Sequence, residues 1–217
     1  MLIIFDCDGV LIDSEVVAAR VHADLLAELG LTLTLEEVIT RFTGMPHGKI
    51  AEMLSRELGR PLPKDYRQRS TLELDRRLEH VQPIEGVHAL LGRLTGPRCV
   101  CSNSSSVRLQ LSLTSTGLWE HFHPHVFSAP EVGRSKPAPD VFLHAAKVFD
   151  VPPREVLVIE DSALGVAGAV EAGMRVIGFT GGGHSWSGHA ESLKQAGATR
   201  VVPRLSDVAT AVEELRA

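Results

Sequence analysis

The stretch Leu2-Ile3-Ile4-Phe5-Asp6-Cys7-Asp8-Gly9-Val10 reads as an apolar strand that runs directly into two acids. A short run of large aliphatic and aromatic residues suits a strand covered on both faces. Side chains two apart on an extended chain point the same way, so Asp6 and Asp8 can share a face at its carboxyl end. Asp-Gly is also a common turn dipeptide, so this stretch alone is equally compatible with a simple turn.

Moving outward, similar apolar runs recur at Arg98 to Cys101, Val126 to Phe127, Val156 to Ile159, Val176 to Phe179 and Arg200 to Val202. Helix-like stretches separate them at Val87 to Leu94, Val107 to Thr116, Val141 to Phe149, Leu164 to Ala172, Ala190 to Gln195 and Val208 to Leu215. Strands alternating with helices are the pattern of βα units wound into a parallel sheet. Pro139 and Asp140 suit a first helical turn, where proline is tolerated and an acid faces the positive end of the helix.

One region breaks the alternation. From Ser14 to Glu79 there are helical segments and no strand: Glu15 to Leu29, Leu35 to Arg41, Lys49 to Leu58 and Asp65 to Glu79. Gly30, Gly44, Pro46, Gly59, Pro61 and Pro63 punctuate them. The expectation is an α/β core of residues 1–13 and 81–217 with a helical cap, residues 14–80, inserted after the first strand.

A second acidic pair extends the reading of Asp6 and Asp8. Val156-Leu-Val-Ile159 leads into Glu160-Asp161-Ser162 ahead of a helix. Asp161 or Ser162 could serve only as a helix cap, but that leaves Glu160 unexplained. Ligands of an open parallel sheet bind beyond the carboxyl ends of its strands, where both pairs fall. Converging carboxylates repel one another unless a cation is present, and hard oxygen donors suit Mg²⁺. The run Ser102-Asn103-Ser104-Ser105-Ser106 offers hydroxyl and amide donors at the start of a helix, a cradle for an anion. Lys136, in the loop Gly133-Arg-Ser-Lys-Pro137, adds a cation that can balance phosphate and carboxylate charge.

With these residues in view, the chain resembles the haloacid dehalogenase superfamily of phosphotransferases. The likeness rests on D-x-D-G at Asp6 to Gly9, Ser102, the K-P pair Lys136 and Pro137, and E-D-S-x-x-G at Glu160 to Gly165, in order along nearly the whole chain. It implies a doubly wound, Rossmann-like α/β core with an inserted helical cap, and magnesium-dependent hydrolysis of small phosphate monoesters through an aspartyl-phosphate. In that resemblance Asp6 is the nucleophile and Asp8 the acid and base. Ser102 and Lys136, with Asn103 beside them, hold the phosphate. Mg²⁺ is held by Asp6, the Asp8 carbonyl and Asp161, with Glu160 in support through water. Dehalogenases and phosphonate hydrolases of the superfamily lack the second aspartate, so Asp8 speaks for phosphate monoesters.

The nearer alternative is a sugar-phosphate mutase of the β-phosphoglucomutase type. Those enzymes resemble one another in a histidine twelve residues past the nucleophile, where this chain has Ala18, and in a cap arginine that corresponds to His47. Both departures favour hydrolysis. Gly30-Leu-Thr-Leu33 and Arg41-Phe42 look similar to 6-phosphogluconate and other sugar-phosphate phosphatases. His47 and Lys49 follow the Pro46 turn, in a loop that faces the active site in relatives, and are candidates for reading the leaving group. A phosphorylatable receiver-like signalling domain shares acids and a K-P lysine at strand ends, but needs neither the cap nor D-x-D spacing.

Composition bounds the rest. Hydrophobic residues at 44% and charged residues at 23%, with no low-complexity tract, fit a folded soluble domain. A net charge of −5 with interspersed signs argues against a nucleic-acid partner. No apolar run approaches the roughly 20 residues of a membrane span, so the expected partner is a small phosphorylated metabolite met by a cytoplasmic monomer. Cys7, Cys99 and Cys101 read as buried thiols. His121, His123 and His125 read as loop residues before a strand rather than a metal site, and Gly181-Gly-Gly183-His184 as a flexible loop on the cap-facing edge.

Overall fold

The structure, a computed structural model, describes residues 1–42, 45 and 47–216, apart from the side chains of His47 and Arg216. Gly44 and Pro46, two of the expected helix separators, lie outside the described residues. Six strands, β1 (Leu2–Phe5), β2 (Arg98–Ser102), β3 (Val126–Ser128), β4 (Val156–Glu160), β5 (Arg175–Phe179) and β6 (Arg200–Val202), form one sheet in the order β3-β2-β1-β4-β5-β6. Every pairing is parallel. This is the doubly wound α/β fold, and the strand order reverses beside β1, between β1 and β4, where a crevice opens for ligands.

The apolar strands are explained by their two buried faces. Ile3 and Phe5 point into one hydrophobic cluster with Val100, Leu157 and Ile159, while Leu2 and Ile4 point into another with Cys99, Val156 and Val158. The strand's two-residue period therefore delivers every side chain to a core.

Four helices precede the return to the sheet: α1 (Ser14–Glu28), α2 (Leu35–Phe42), α3 (His47–Leu58) and α4 (Tyr66–Leu78). Their Ala19, Leu26, Val38, Ile39, Phe42 and Leu54 make a third hydrophobic cluster, separate from the two on the sheet. The start of α2 is set by Thr34, whose hydroxyl accepts from the Glu37 N–H at 3.2 Å while Glu37 accepts from the Thr34 N–H at 2.7 Å, a reciprocal cap. The chain enters and leaves this helical block side by side: the Asp13 N–H donates to the Gln82 carbonyl at 3.0 Å and the Ile84 N–H to Leu11 at 2.9 Å.

The remaining helices flank the sheet. α5 (Val87–Arg93), α6 (Ser106–Ser115) and α11 (Leu205–Arg216) cover the face of Ile3 and Phe5, and α8 (Asp140–Val148), α9 (Ala163–Glu171) and α10 (His189–Gln195) cover the other. Strand and helix positions follow the sequence expectation to within a few residues. Three short elements were not expected, α7 (Ala129–Val132) and the 3-10 turns Trp119–His121 and Pro153–Glu155, which at three or four residues are too brief to display a helical period.

Candidate active site

Asp6 is the first residue past β1, held by its N–H to the Ile159 carbonyl at 2.9 Å. The chain then turns sharply, with the Leu11 and Ile12 N–H groups both donating to Cys7 O at 2.9 and 3.1 Å. Gly9 makes this turn at φ 77°, and a Cβ there would stand 1.8 Å from Asp161 Oδ2, so only glycine fits. The Asp8 carboxylate is thereby aimed at three hydroxyls: Ser14 at 2.6 Å, Ser104 at 2.8 Å and Ser102 at 3.1 Å. Ser102 closes β2, and Ser105 caps α6 by accepting from the Arg108 N–H. The serine run is thus a helix cap and a donor cluster at once.

Across the crevice, β4 delivers Glu160 and Asp161. Glu160 is fully buried, accepts from the Ser162 N–H and hydroxyl at 2.9 Å each, and receives the Lys136 ammonium at 2.6 Å. Lys136 donates also to Asp6 Oδ1 at 3.0 Å. Its backbone is pinned by Asn103, which accepts from the Lys136 N–H at 2.8 Å and donates to its carbonyl at 3.3 Å. The Asn103 amide therefore serves to place Lys136. Ser162, rather than Asp161, caps α9.

Burial dominates the electrostatics. It pushes the Asp6 and Asp161 carboxyls well above the usual carboxylate range, with the charge of Glu160 adding to both. Burial works against the Lys136 ammonium, but Asp6 and Glu160 outweigh it and hold its pKa above the ordinary value. One ammonium faces three buried acids, whose nearest oxygens lie within 4.8 Å of one another. An all-carboxylate set with surplus negative charge fits a small divalent cation.

The site opens into a cavity of about 460 Å³ walled by the sheet edge below and by Ala18, His22, Phe42 and Leu74 of the helical block above. A second cavity of about 590 Å³ between the helices shares those four residues, together with Asn103 and Arg108. In it His22 Nδ1 and the Tyr66 hydroxyl are hydrogen bonded at 3.0 Å.

The structure brings together Asp6, Asp8, Ser102, Asn103, Lys136, Glu160 and Asp161. Lys49 is exposed and lines neither cavity, and the His47 side chain lies outside the described residues. His123 stacks on Trp119 at 5.0 Å and His125 packs on Phe149 at 4.4 Å, so this histidine tract makes aromatic contacts. The three cysteines are buried and free.

Two residues at the site carry no role in the sequence expectation: His184 is placed in a flexible loop, and His189 is not singled out. His184 and His189 are 3% and 2% exposed, and both reach residue 161: His184 Nε2 lies 2.9 Å from Asp161 Oδ2, and His189 Nε2 is hydrogen bonded to its carbonyl oxygen at 2.6 Å. The Gly181–His184 stretch is therefore packed against the site, not a flexible loop. The signal available was a histidine placed just beyond the carboxyl end of β5, on the same edge as the acids.

Comparison with known proteins agrees with this geometry. The haloacid dehalogenase-like hydrolase profile matches residues 3–179. The 6-phosphogluconate phosphatase of Escherichia coli is 36% identical over 188 residues, 84% of each chain. A conserved haloacid dehalogenase-like protein of unknown function from Agrobacterium tumefaciens superposes with a TM-score of 0.94 at 48% identity, covering 100% of this chain and 99% of the other. A haloacid dehalogenase family hydrolase from Deinococcus radiodurans, solved with bound phosphate and sodium, gives 0.88 at 33% identity over 99% and 96% of the two chains. Among the described residues, no helix is long and apolar enough to cross a membrane.

Proposed function

We propose that this chain, a phosphatase that belongs to the haloacid dehalogenase-like hydrolases, hydrolyses small sugar or sugar-acid phosphates through an aspartyl-phosphate on Asp6. The observation that carries the reading is the position of Asp6, between the Lys136 ammonium and a cluster of buried acids on the switch edge of the sheet. The 36% identical relative named for 6-phosphogluconate supports the substrate class.

In the first half-reaction an Asp6 carboxylate oxygen bonds to phosphorus as the bond to the leaving oxygen breaks, and Asp8 gives that oxygen its proton. In the second, Asp8 takes a proton from water as the water oxygen bonds to phosphorus and the Asp6–phosphorus bond breaks, releasing phosphate. Asp8 is suited to both steps because the hydroxyls of Ser14, Ser102 and Ser104 fix its carboxylate. Ser102 and Lys136 orient the phosphoryl oxygens, and Asn103 acts through Lys136. Asp6, Asp161 and the Asp8 carbonyl would hold Mg²⁺, with Glu160 behind them. The bound ion supplies the positive charge that lets an anionic nucleophile meet an anionic phosphate.

Residues 14–80 act in this reading as a cap that closes over the leaving group, hinged where Asp13 and Gln82 run side by side. Ser14 links that cap to Asp8. Ala18 lines the cavity with a methyl group that cannot hold Asp8 away from water, which favours hydrolysis over a mutase. Free, buried thiols suit a reducing cytoplasm, and the enzyme acts there as a monomer on a soluble metabolite.

The test is turnover of 6-phosphogluconate, fructose 1-phosphate and glucose 1-phosphate, followed by phosphorus NMR with Mg²⁺ and with EDTA. Inorganic phosphate should accumulate in step with free alcohol, only with the metal and without a bisphosphate activator. Isomeric sugar phosphate with little release of phosphate would establish a mutase, and full turnover in EDTA would remove the metal from the mechanism.

A further inference from the structure

The segment from Thr180 to His189, after β5, closes on residue 161 from two directions. His184 Nε2 meets the Asp161 carboxylate at 2.9 Å, and His189 Nε2 meets its carbonyl at 2.6 Å. His189 is itself fixed, sharing a 2.9 Å bond through Nδ1 with the Ser185 hydroxyl and stacking on Trp186 at 4.1 Å. Glycines make room for the closure. A Cβ on Gly9 would lie 2.8 Å from His184 Cε1, and one on Gly182 would lie 2.7 Å from the same atom.

We infer that His184 is a positioning residue for divalent-cation binding, donating through Nε2–H to Asp161 Oδ2 so that Oδ1 is presented to the ion beside Asp6 and Glu160. This rests on the proposed reading of that edge as a Mg²⁺ site. A free carboxylate in a cluster of buried acids would swing away from its neighbours, and binding would then have to overcome that rotation as well as the repulsion. A fixed donor removes the rotation beforehand.

The ring's own surroundings agree with the donor assignment. His184 Nδ1 is buried and has no hydrogen-bond partner among the described residues. An unpartnered ring nitrogen is tolerated better as a bare acceptor than as an N–H, which puts the proton on Nε2, facing Asp161. Nothing in the proposed chemistry requires a histidine to exchange protons here.

Three variants decide the matter: His184→Leu fills the space without a donor, His184→Gln keeps a donor near the same place, and His184→Ala removes the donor without adding bulk. The readout is Mg²⁺ affinity of the folded protein by titration calorimetry, beside the Mg²⁺ dependence of turnover. Loss of a partner that orients a metal ligand weakens binding by about 10–100-fold. The expected result is a loss of that size in His184→Leu and His184→Ala, near wild-type affinity in His184→Gln, and turnover that recovers in all three as Mg²⁺ is raised.

Unchanged affinity in folded His184→Leu or His184→Ala would overturn the inference while leaving the metal site standing. An equal loss in His184→Gln would assign the effect to packing and overturn it too. Should wild-type protein bind no Mg²⁺, the reading of the site and the inference fall together.

Discussion

The Lys136 ammonium bridges Asp6 Oδ1 and Glu160 Oε1 at 3.0 and 2.6 Å, tying the ends of β1 and β4 together across the point where the strand order reverses. Its side chain is 3% exposed, so water cannot stand in for it. Lys136→Met should therefore leave two buried acids without their cation and lower stability by about 3–5 kcal/mol. It should also remove turnover. Urea unfolding measures the first effect, and an unchanged midpoint would mean that the bridge does not hold the edge together.

Asp6→Asn should separate chemistry from stability. The amide oxygen can still accept from Lys136 and from the Cys7 N–H, which reaches Asp6 Oδ1 at 2.8 Å, but an amide does not attack phosphorus. Burial and the Glu160 charge disfavour the Asp6 carboxylate, so removing that charge should leave the melting temperature equal or higher. Substantial phosphatase activity in folded, purified Asp6→Asn would sink the covalent mechanism.

Two glycines in helices should respond to alanine with opposite signs. A Cβ on Gly165 would lie 1.7 Å from Glu160 Oε1, so Gly165→Ala should displace the acid that Lys136 holds and cost about 1–3 kcal/mol, with reduced activity. Gly92, in α5, has nothing within 4 Å of its added Cβ, so Gly92→Ala should stabilise by about 0.5–1 kcal/mol. Thermal denaturation of the pair checks both, and a stabilised Gly165→Ala would contradict the close approach.

The chain contains a single tyrosine, so tyrosinate absorbance reports Tyr66 alone. Burial pushes its hydroxyl pKa up to about 12, against roughly 10 for an unfolded chain. Between those values the unfolded state has lost the proton and the folded state keeps it, so stability must fall as pH rises through that window. Below pH ~10 this contribution is fully present. Native protein should titrate near the higher value and protein in denaturant near the lower, and Tyr66→Phe should flatten the alkaline loss of stability. Coincident native and denatured titrations would refute it.

The strands were legible in the chain alone, because Leu2 to Phe5 and Val156 to Ile159 are apolar throughout and a strand buried on both faces requires that. So were the helical block and the acids at the strand ends, since both follow from local periodicity and its interruption. Partnership was another matter. Lys136 meets Asp6 across 130 residues of chain and Glu160 across 24. Ser104 meets Asp8 across 96.

Such contacts depend on strand order and register, which no local pattern encodes. The assembled fold was needed to show that Asn103 holds Lys136 and that Ser162 is the cap of α9. It alone turned Gly181-Gly-Gly183-His184 from a loop into one half of a grip on Asp161. The physical reason is that burial, together with the parallel register that sets the ends of β1, β4 and β5 side by side, gives those side chains their partners.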